Sequence, residues 1–455
     1  MALVDPSLTM RLAGLLARPV AAVDRRRAAL LLGDWLGCAL GAGREDWVPK
    51  LAAWTDAQAQ GPVAVLGRGR RDAASALLFN AALGNVLEMD DVHREAILHP
   101  GPVVIPVALA QAQLSGADAQ ACLDAIVRGY EAVIRVGRAF GRGHYRYWHP
   151  TSTAGAFGAA AAAASVLGLD ADACADALGN AGSRTGGLWQ TRHEPVPTKS
   201  LHNALAAQGG WLAAQWAAAG LPRPHRILEG EQGLFAATAP DAEPHAVVAD
   251  EAGWLIHQTS LKPWPACRHA HPAIDALRDL LAANPGVDVA AIERVEVATY
   301  GEALRFCDRP APTTTLEAKF SLQHALGAIL ARGTPRLAHY AGEALAAEDI
   351  AARRAQVAVV QDEAIDARFP AHYGARVRAW LHDGTQLQAA REDAFGDPEQ
   401  PMGEADVRTK ALALADWGGI AADHAADLVT RALGLADGCD LAGLLSAMAE
   451  ARCSA

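Results

Sequence analysis

From Thr151 to Leu169 the chain reads TSTAGAFGAAAAAASVLGL, a run with no charged side chain and alanine as its commonest residue. Alanine has the highest helix propensity, and its small side chain lets a neighbouring helix approach closely. The run is too short and too weakly apolar for a membrane span. It predicts a buried helix packed on other small-residue helices. The bias is general: 51% of the residues are apolar, with the excess in Ala and Leu rather than in aromatic or β-branched types. A mostly helical protein follows.

At 455 residues the chain exceeds what one hydrophobic core usually supports, so two domains, or one domain with a large insertion, are expected. A formal net charge of −11 argues against a nucleic-acid binder, because phosphate affinity needs clustered Lys and Arg. The seven cysteines, Cys38, Cys122, Cys174, Cys267, Cys307, Cys439 and Cys453, are scattered, odd in number and without CxxC pairs. They read as reduced thiols rather than a disulfide framework. The apolar run after Arg25, Arg26 and Arg27 is interrupted by Asp34 and lacks a small-residue cleavage site, so no signal peptide is read. A cytoplasmic location is expected.

Helical pattern covers Arg25–Leu40, Asp72–Glu88, Pro106–Leu114, Asp118–Arg138, Thr151–Leu167, Asp170–Gly179 and Lys199–Ala219, several opening with a capping Asp, Ser or Thr. The texture changes after Leu261. IERVEVATY (Ile292–Tyr300) alternates like a half-buried strand, AQVAVVQDE adds another, and ARVRAWLHDGTQLQAA places His382–Thr385 as a hairpin turn. Helices return at Glu404–Trp417, Ile420–Leu433 and Asp440–Glu450. The expected fold is mainly α: a large all-helical domain, 1–260 plus 403–455, with a smaller α+β domain, 261–402, inserted.

Four segments carry chemistry. GNVLEMDDVHREAILHPG (Gly84–Gly101) gathers Glu88, Asp90, Asp91, His93 and His99, residue types that serve as metal ligands, as acid/base groups, or as the polar loop leaving a helix. WHPTST places His149 before a helix start, as HPG places His99. Unpaired amides and a partial positive charge there attract carboxylates and keep an imidazole neutral. VPTKSLHNALAAQGG puts Lys199 at another helix start, where a cation opposes the dipole and makes sense beside a bound carboxylate. In LKPWPACRHAHPAIDA, Pro263 and Pro265 hold the backbone extended, and Lys262, Cys267, Arg268, His269 and His271 follow. An exposed linker or a chelating set are the competing readings of that stretch.

These segments, together with GYEAVIRVGRAF, EGEQGLF and AKFSLQHALGAIL, resemble in order the family of 2-methylcitrate dehydratase, cis-aconitate decarboxylase and iminodisuccinate epimerase, called MmgE/PrpD. The resemblance implies a helical large domain, an α+β small domain, a homodimer, and an active site between the domains that needs no cofactor and no metal. It carries over Asp90, Asp91, His99, His149, Lys199 and Lys262 as site residues. Relatives that dehydrate or decarboxylate often have Asp where Glu88 stands and Thr where Val92 stands, and the decarboxylase has His where Cys267 stands and Tyr where His324 stands. These departures fall in the expected pocket and make decarboxylation the least favoured outcome.

The shared chemical step is removal of a proton beside a carboxylate, which builds a second negative charge. Lys199, Lys262, Arg268 and two helix starts are expected to hold that charge, with His99 or His149 as base. Asp91 is a further acid/base candidate if burial raises its pKa. Asp90, His93, Cys267, Arg268, His269, His271 and His324 are expected to bind substrate. The leading expectation is a cofactor-independent dehydratase of a small hydroxy di- or tricarboxylate, with an epimerase of such an acid as runner-up. A metal-dependent hydrolase using His93, His99, His269 and His271, and a catalytically silent binding protein, are the remaining alternatives. No membrane or nucleic-acid partner is expected.

Overall fold

The computed structural model describes residues 6–194 and 196–451, so Cys453 lies outside the described residues. Two compact units emerge: one of the residues up to Thr259 and from Gly403 onward, the other Ser260–Met402.

In the first unit the alanine run forms a helix, Gly155–Val166, that is buried over most of its length and packs on Ala119–Ala139 and Thr198–Ala218. Small residues set these distances. A methyl group added at Gly210 would stand 2.2 Å from the Ala156 carbonyl oxygen, and one at Gly158 would stand 2.9 Å from that of Gly129. Asp118 and Asp170 cap their helices by accepting from the amides of Ala121 and Ala173.

Three expected boundaries move. The helix expected at Asp72–Glu88 ends at Leu83, because the chain turns into a loop in which Glu88 has a left-handed φ of 58°. The helix expected from Pro106 begins at Gly101, with Pro102 in the first turn, where a missing N–H is harmless, and Pro106 inside the helix. The alanine helix is broken near Ala154 into Pro150–Thr153 and Gly155–Val166. There the Thr185 hydroxyl donates to the Thr153 carbonyl at 2.7 Å, competing with the ladder that would continue the helix.

The C-terminal helix Glu404–Trp417 returns to the first unit and packs on Ala22–Gly41, where a methyl at Gly37 would stand 2.6 Å from the Ala411 Cα. Its Lys410 is buried and donates to Asp34 at 2.5 Å and to the Met89 carbonyl at 2.6 Å. Burial pushes the Lys410 pKa down, but Asp34 outweighs it, so the ammonium stays charged. This pair fixes the backbone at the entry to the acidic loop.

The second unit is a four-stranded sheet in the order Val357–Gln361, Ile292–Thr299, Ala375–Leu381, Gln386–Arg391, with the first pair parallel and the others antiparallel. Helices His271–Ala283 and Leu322–Arg332 share its core. The expected hairpin is present: the Leu381 amide donates to the Thr385 carbonyl, and Gly384 takes a φ of 87°. The fold is mainly α with a small α+β part, as the sequence predicts.

Candidate active site

The acidic loop of the helical unit arranges its groups in pairs. Asp90 Oδ2 lies 3.0 Å from His99 Nδ1 and accepts from Asn85 Nδ2 at 2.6 Å. The carbonyl oxygen of Asp91 is 2.7 Å from the same imidazole nitrogen. Two acceptors facing Nδ1 place a hydrogen there, so the tautomer they favour carries its lone pair on Nε2. The His99 amide donates to Thr151 Oγ1 at 3.0 Å, tying this loop to the Pro150–Thr153 helix.

Asp91 has both carboxylate oxygens engaged. Oδ1 accepts from the Gly101 amide at 3.0 Å and Oδ2 from the Tyr130 hydroxyl at 2.8 Å. Burial, reinforced by Asp90, raises its pKa to about 7 against the pull of those two donors. The start of the helix at Gly101, expected to hold substrate charge, is therefore committed to Asp91.

His149 caps the short Pro150–Thr153 helix, 2% exposed, with its ring 4.3 Å from the Trp189 ring. Its Nδ1 lies 3.3 Å from Nδ1 of His202, one turn into the helix Thr198–Ala218. Burial first, then Lys199, His202 and His99, hold the His149 pKa well below the usual histidine value. The ring is neutral near pH 7. Lys199, on the same helix, pairs with Glu88. Burial alone would push its pKa down, but Glu88 and Asp90 outweigh it and raise the pKa. The fields of Lys199, His202, His99 and Asp90 all reach His149. One cluster thus gathers Asp90, Asp91, His99, His149 and Lys199 from three segments of the helical unit.

Its charge differs from the expectation. Lys199 faces Glu88 and Asp90, so an incoming carboxylate has to share that ammonium rather than meet an open cationic hole.

His93, expected to bind substrate, has partners within its own unit. Its Nδ1 accepts from the Ala96 amide at 3.2 Å, and it hydrogen-bonds Gln258. Burial, then Arg138, depresses its pKa to about 3. These contacts tie the loop to its own unit.

The residues expected from the second unit fall into different roles there. Lys262 is buried, 2% exposed. Arg268 pairs with the buried Asp397, which also accepts from the Ser260 hydroxyl at 2.6 Å, so this guanidinium has an acidic partner inside its own unit. Cys267 is buried, its amide donating to the Lys319 carbonyl and its thiol meeting Cys307. His269 is half-buried between the rings of Phe306 and Tyr373, each centroid 5.2 Å away, and its Nδ1 is 2.6 Å from the Tyr300 hydroxyl. Burial and Arg268 lower its pKa to about 4. His271 and His324 are fully buried, with Nε2 directed at the carbonyls of Ala266 and His339. Each of these nitrogens thus meets a backbone carbonyl of its own unit. The four imidazoles proposed for a metal hydrolase thus have separate partners. Among the described residues, the group with metal-ligand spacing is His372, Asp393 and Glu399, outside all these segments.

Sequence reading missed His202, Tyr130, Trp189 and Lys410. His202 had a signal, three residues after Lys199 and so on the same helix face. Tyr130 and Lys410 had none, because each reaches the loop across the fold.

Comparison with known proteins follows the same segments. The MmgE/PrpD N-terminal domain model matches residues 12–247 and the MmgE/PrpD C-terminal domain model matches 264–433. The cis-aconitate decarboxylase of Aspergillus terreus is 25% identical over 418 residues, covering 86% of this chain and 84% of that protein. The cis-aconitate decarboxylase of Homo sapiens is 28% identical over 272 residues, 57% of this chain and 55% of that one. With both domain models matched in order along its length, the chain belongs to the MmgE/PrpD family.

Proposed function

We propose that this protein is a lyase that needs no cofactor, removing a proton next to a carboxylate and eliminating water from a small hydroxy di- or tricarboxylate. The observation that carries the reading is the Asp90–His99 pair, in which two acceptors hold the Nδ1 hydrogen and Nε2 is left as the base. His99 takes the proton from carbon. The electrons form the new double bond as hydroxide departs, and the Lys199 ammonium protonates it to water. Neutral His149 donates a hydrogen bond to the oxygen on which charge develops, a task an imidazole kept neutral can do. General acid/base help of this kind is worth roughly 10²- to 10⁴-fold.

The relatives' name supports a second reading. With carbon dioxide as the leaving group, the same donors protonate the resulting carbanion, and the reaction is a decarboxylation. Both are lyase reactions. Incubation with a panel of polycarboxylates in D₂O, followed by NMR, separates them. Alkene with released water supports the dehydratase, carbon dioxide with a deuterated alkene product supports the decarboxylase, and deuterium uptake with inversion and no alkene makes the protein an epimerase. Full activity in Lys199→Ala would remove the assignment of this cluster.

A further inference from the structure

Asn203 follows His202 on the helix Thr198–Ala218 and stands one turn from Lys199, at i,i+4. Its side chain is fully buried, and neither its Nδ2 nor its Oδ1 has a hydrogen-bond partner among the described residues. Packing along the helix locates it. The Ser152 hydroxyl donates to the His202 carbonyl, and a methyl at Gly155 would stand 3.4 Å from the Ala206 Cβ. Asn203 therefore lies between those levels, alongside the helix that His149 caps.

A buried carboxamide carries two donors and an acceptor, and leaving them unmade is costly. An alanine would fit the pattern of this helix, whose next turn presents the buried Ala206 and Ala207. Against the His149 ring, the Trp189 indole N–H is likewise buried without a partner among the described residues. Two unpartnered uncharged polar groups thus accompany the imidazole pair, Asn203 next to His202 along the helix and Trp189 against His149, where Lys199 is already shared with Glu88.

We propose that Asn203 reads the substrate's hydroxyl group: Oδ1 accepts the hydroxyl hydrogen and Nδ2 donates to the adjacent carboxylate. A carboxamide can make both bonds at once, which an ammonium, a donor only, cannot. The proposal rests on the lyase reading and names the chemical feature of the substrate that the site selects.

The test compares two probes by titration calorimetry on the full-length protein: citrate, and tricarballylate, which is citrate without the hydroxyl. The wild type binds citrate more tightly. Asn203→Ala and Asn203→Leu weaken citrate roughly 100-fold, the scale of two lost hydrogen bonds, and tricarballylate roughly 10-fold, the scale of the carboxylate bond alone, so the preference for citrate falls about 10-fold. A purely structural Asn203 would move the unfolding temperature and leave the ratio of the two affinities intact, which overturns the proposal. Equal affinity of the wild type for both probes also overturns it, without any variant having to fold. A wild type that neither binds nor transforms any polycarboxylate overturns the lyase reading itself.

Discussion

The ammonium of Lys410 donates to the carbonyl of Met89, the residue immediately before Asp90, at 2.6 Å. A helix from the last part of the chain thereby sets the position of the acid that orients His99. Lys410 is held in turn by Asp34, and both side chains are buried.

Removing one partner of this pair is expected to cost far more than removing both. Lys410→Met leaves the Asp34 carboxylate buried and alone, and should lower unfolding free energy by about 3–5 kcal/mol. Lys410→Met combined with Asp34→Leu should recover much of that loss. Urea unfolding of the two variants checks this, and equal destabilisation of both would show that the pair is not coupled.

Asp90→Asn tests the tautomer argument. An amide can present its N–H to His99 Nδ1, moving the ring hydrogen to Nε2 and removing the base. The expected result is a fall in kcat of roughly 10²- to 10⁴-fold with little change in KM, measured by steady-state kinetics on whichever polycarboxylate the wild type consumes. A variant with unchanged kcat would mean that the base lies elsewhere.

Asp91 gives stability a pH dependence of definite sign. Its folded pKa of about 7 lies above its ordinary value of 3.8, so between those values the folded state holds a proton that the unfolded state releases. Its contribution is fully present below about pH 4 and is lost as pH rises to about 7, on the order of 4 kcal/mol in all. Asp91→Asn should remove this term. The difference in unfolding free energy between variant and wild type should then shift in the variant's favour from pH 4 to pH 7, and a flat difference would contradict the raised value.

His93 acts in the opposite direction. Its folded pKa of about 3 lies below the ordinary 6.5, so the stability it contributes is present above pH 6.5 and is lost as pH falls toward 3. His93→Gln, which cannot take up that proton, should blunt acid unfolding while leaving kcat/KM within about 3-fold of the wild type. A large loss of kcat/KM in a stably folded variant would return His93 to the ligand.

Local features of the fold were legible from sequence because they depend on neighbours along the chain. Alanine propensity marked the helix after Gly155, Asp118 and Asp170 marked helix starts, and the alternation in Ile292–Thr299 marked a strand. The break near Ala154 was not legible, because the Thr185 hydroxyl that competes for the Thr153 carbonyl comes from over thirty residues downstream.

The candidate site divides along the same line. Residue types made Asp90, Asp91, His99, His149 and Lys199 candidates, since proton transfer beside a carboxylate needs imidazoles, carboxylates and an ammonium, and the family resemblance carried by the order of the motifs singled them out. Only the tertiary structure could assign their states. Burial and sequence-distant partners such as Tyr130, His202 and Lys410 decide which nitrogen keeps its hydrogen and which carboxyl is raised toward neutrality, and the structure shows the hydrogen bonds that His93, His271 and His324 make within their own units. Desolvation and hydrogen bonding act through space, and sequence order does not record distance.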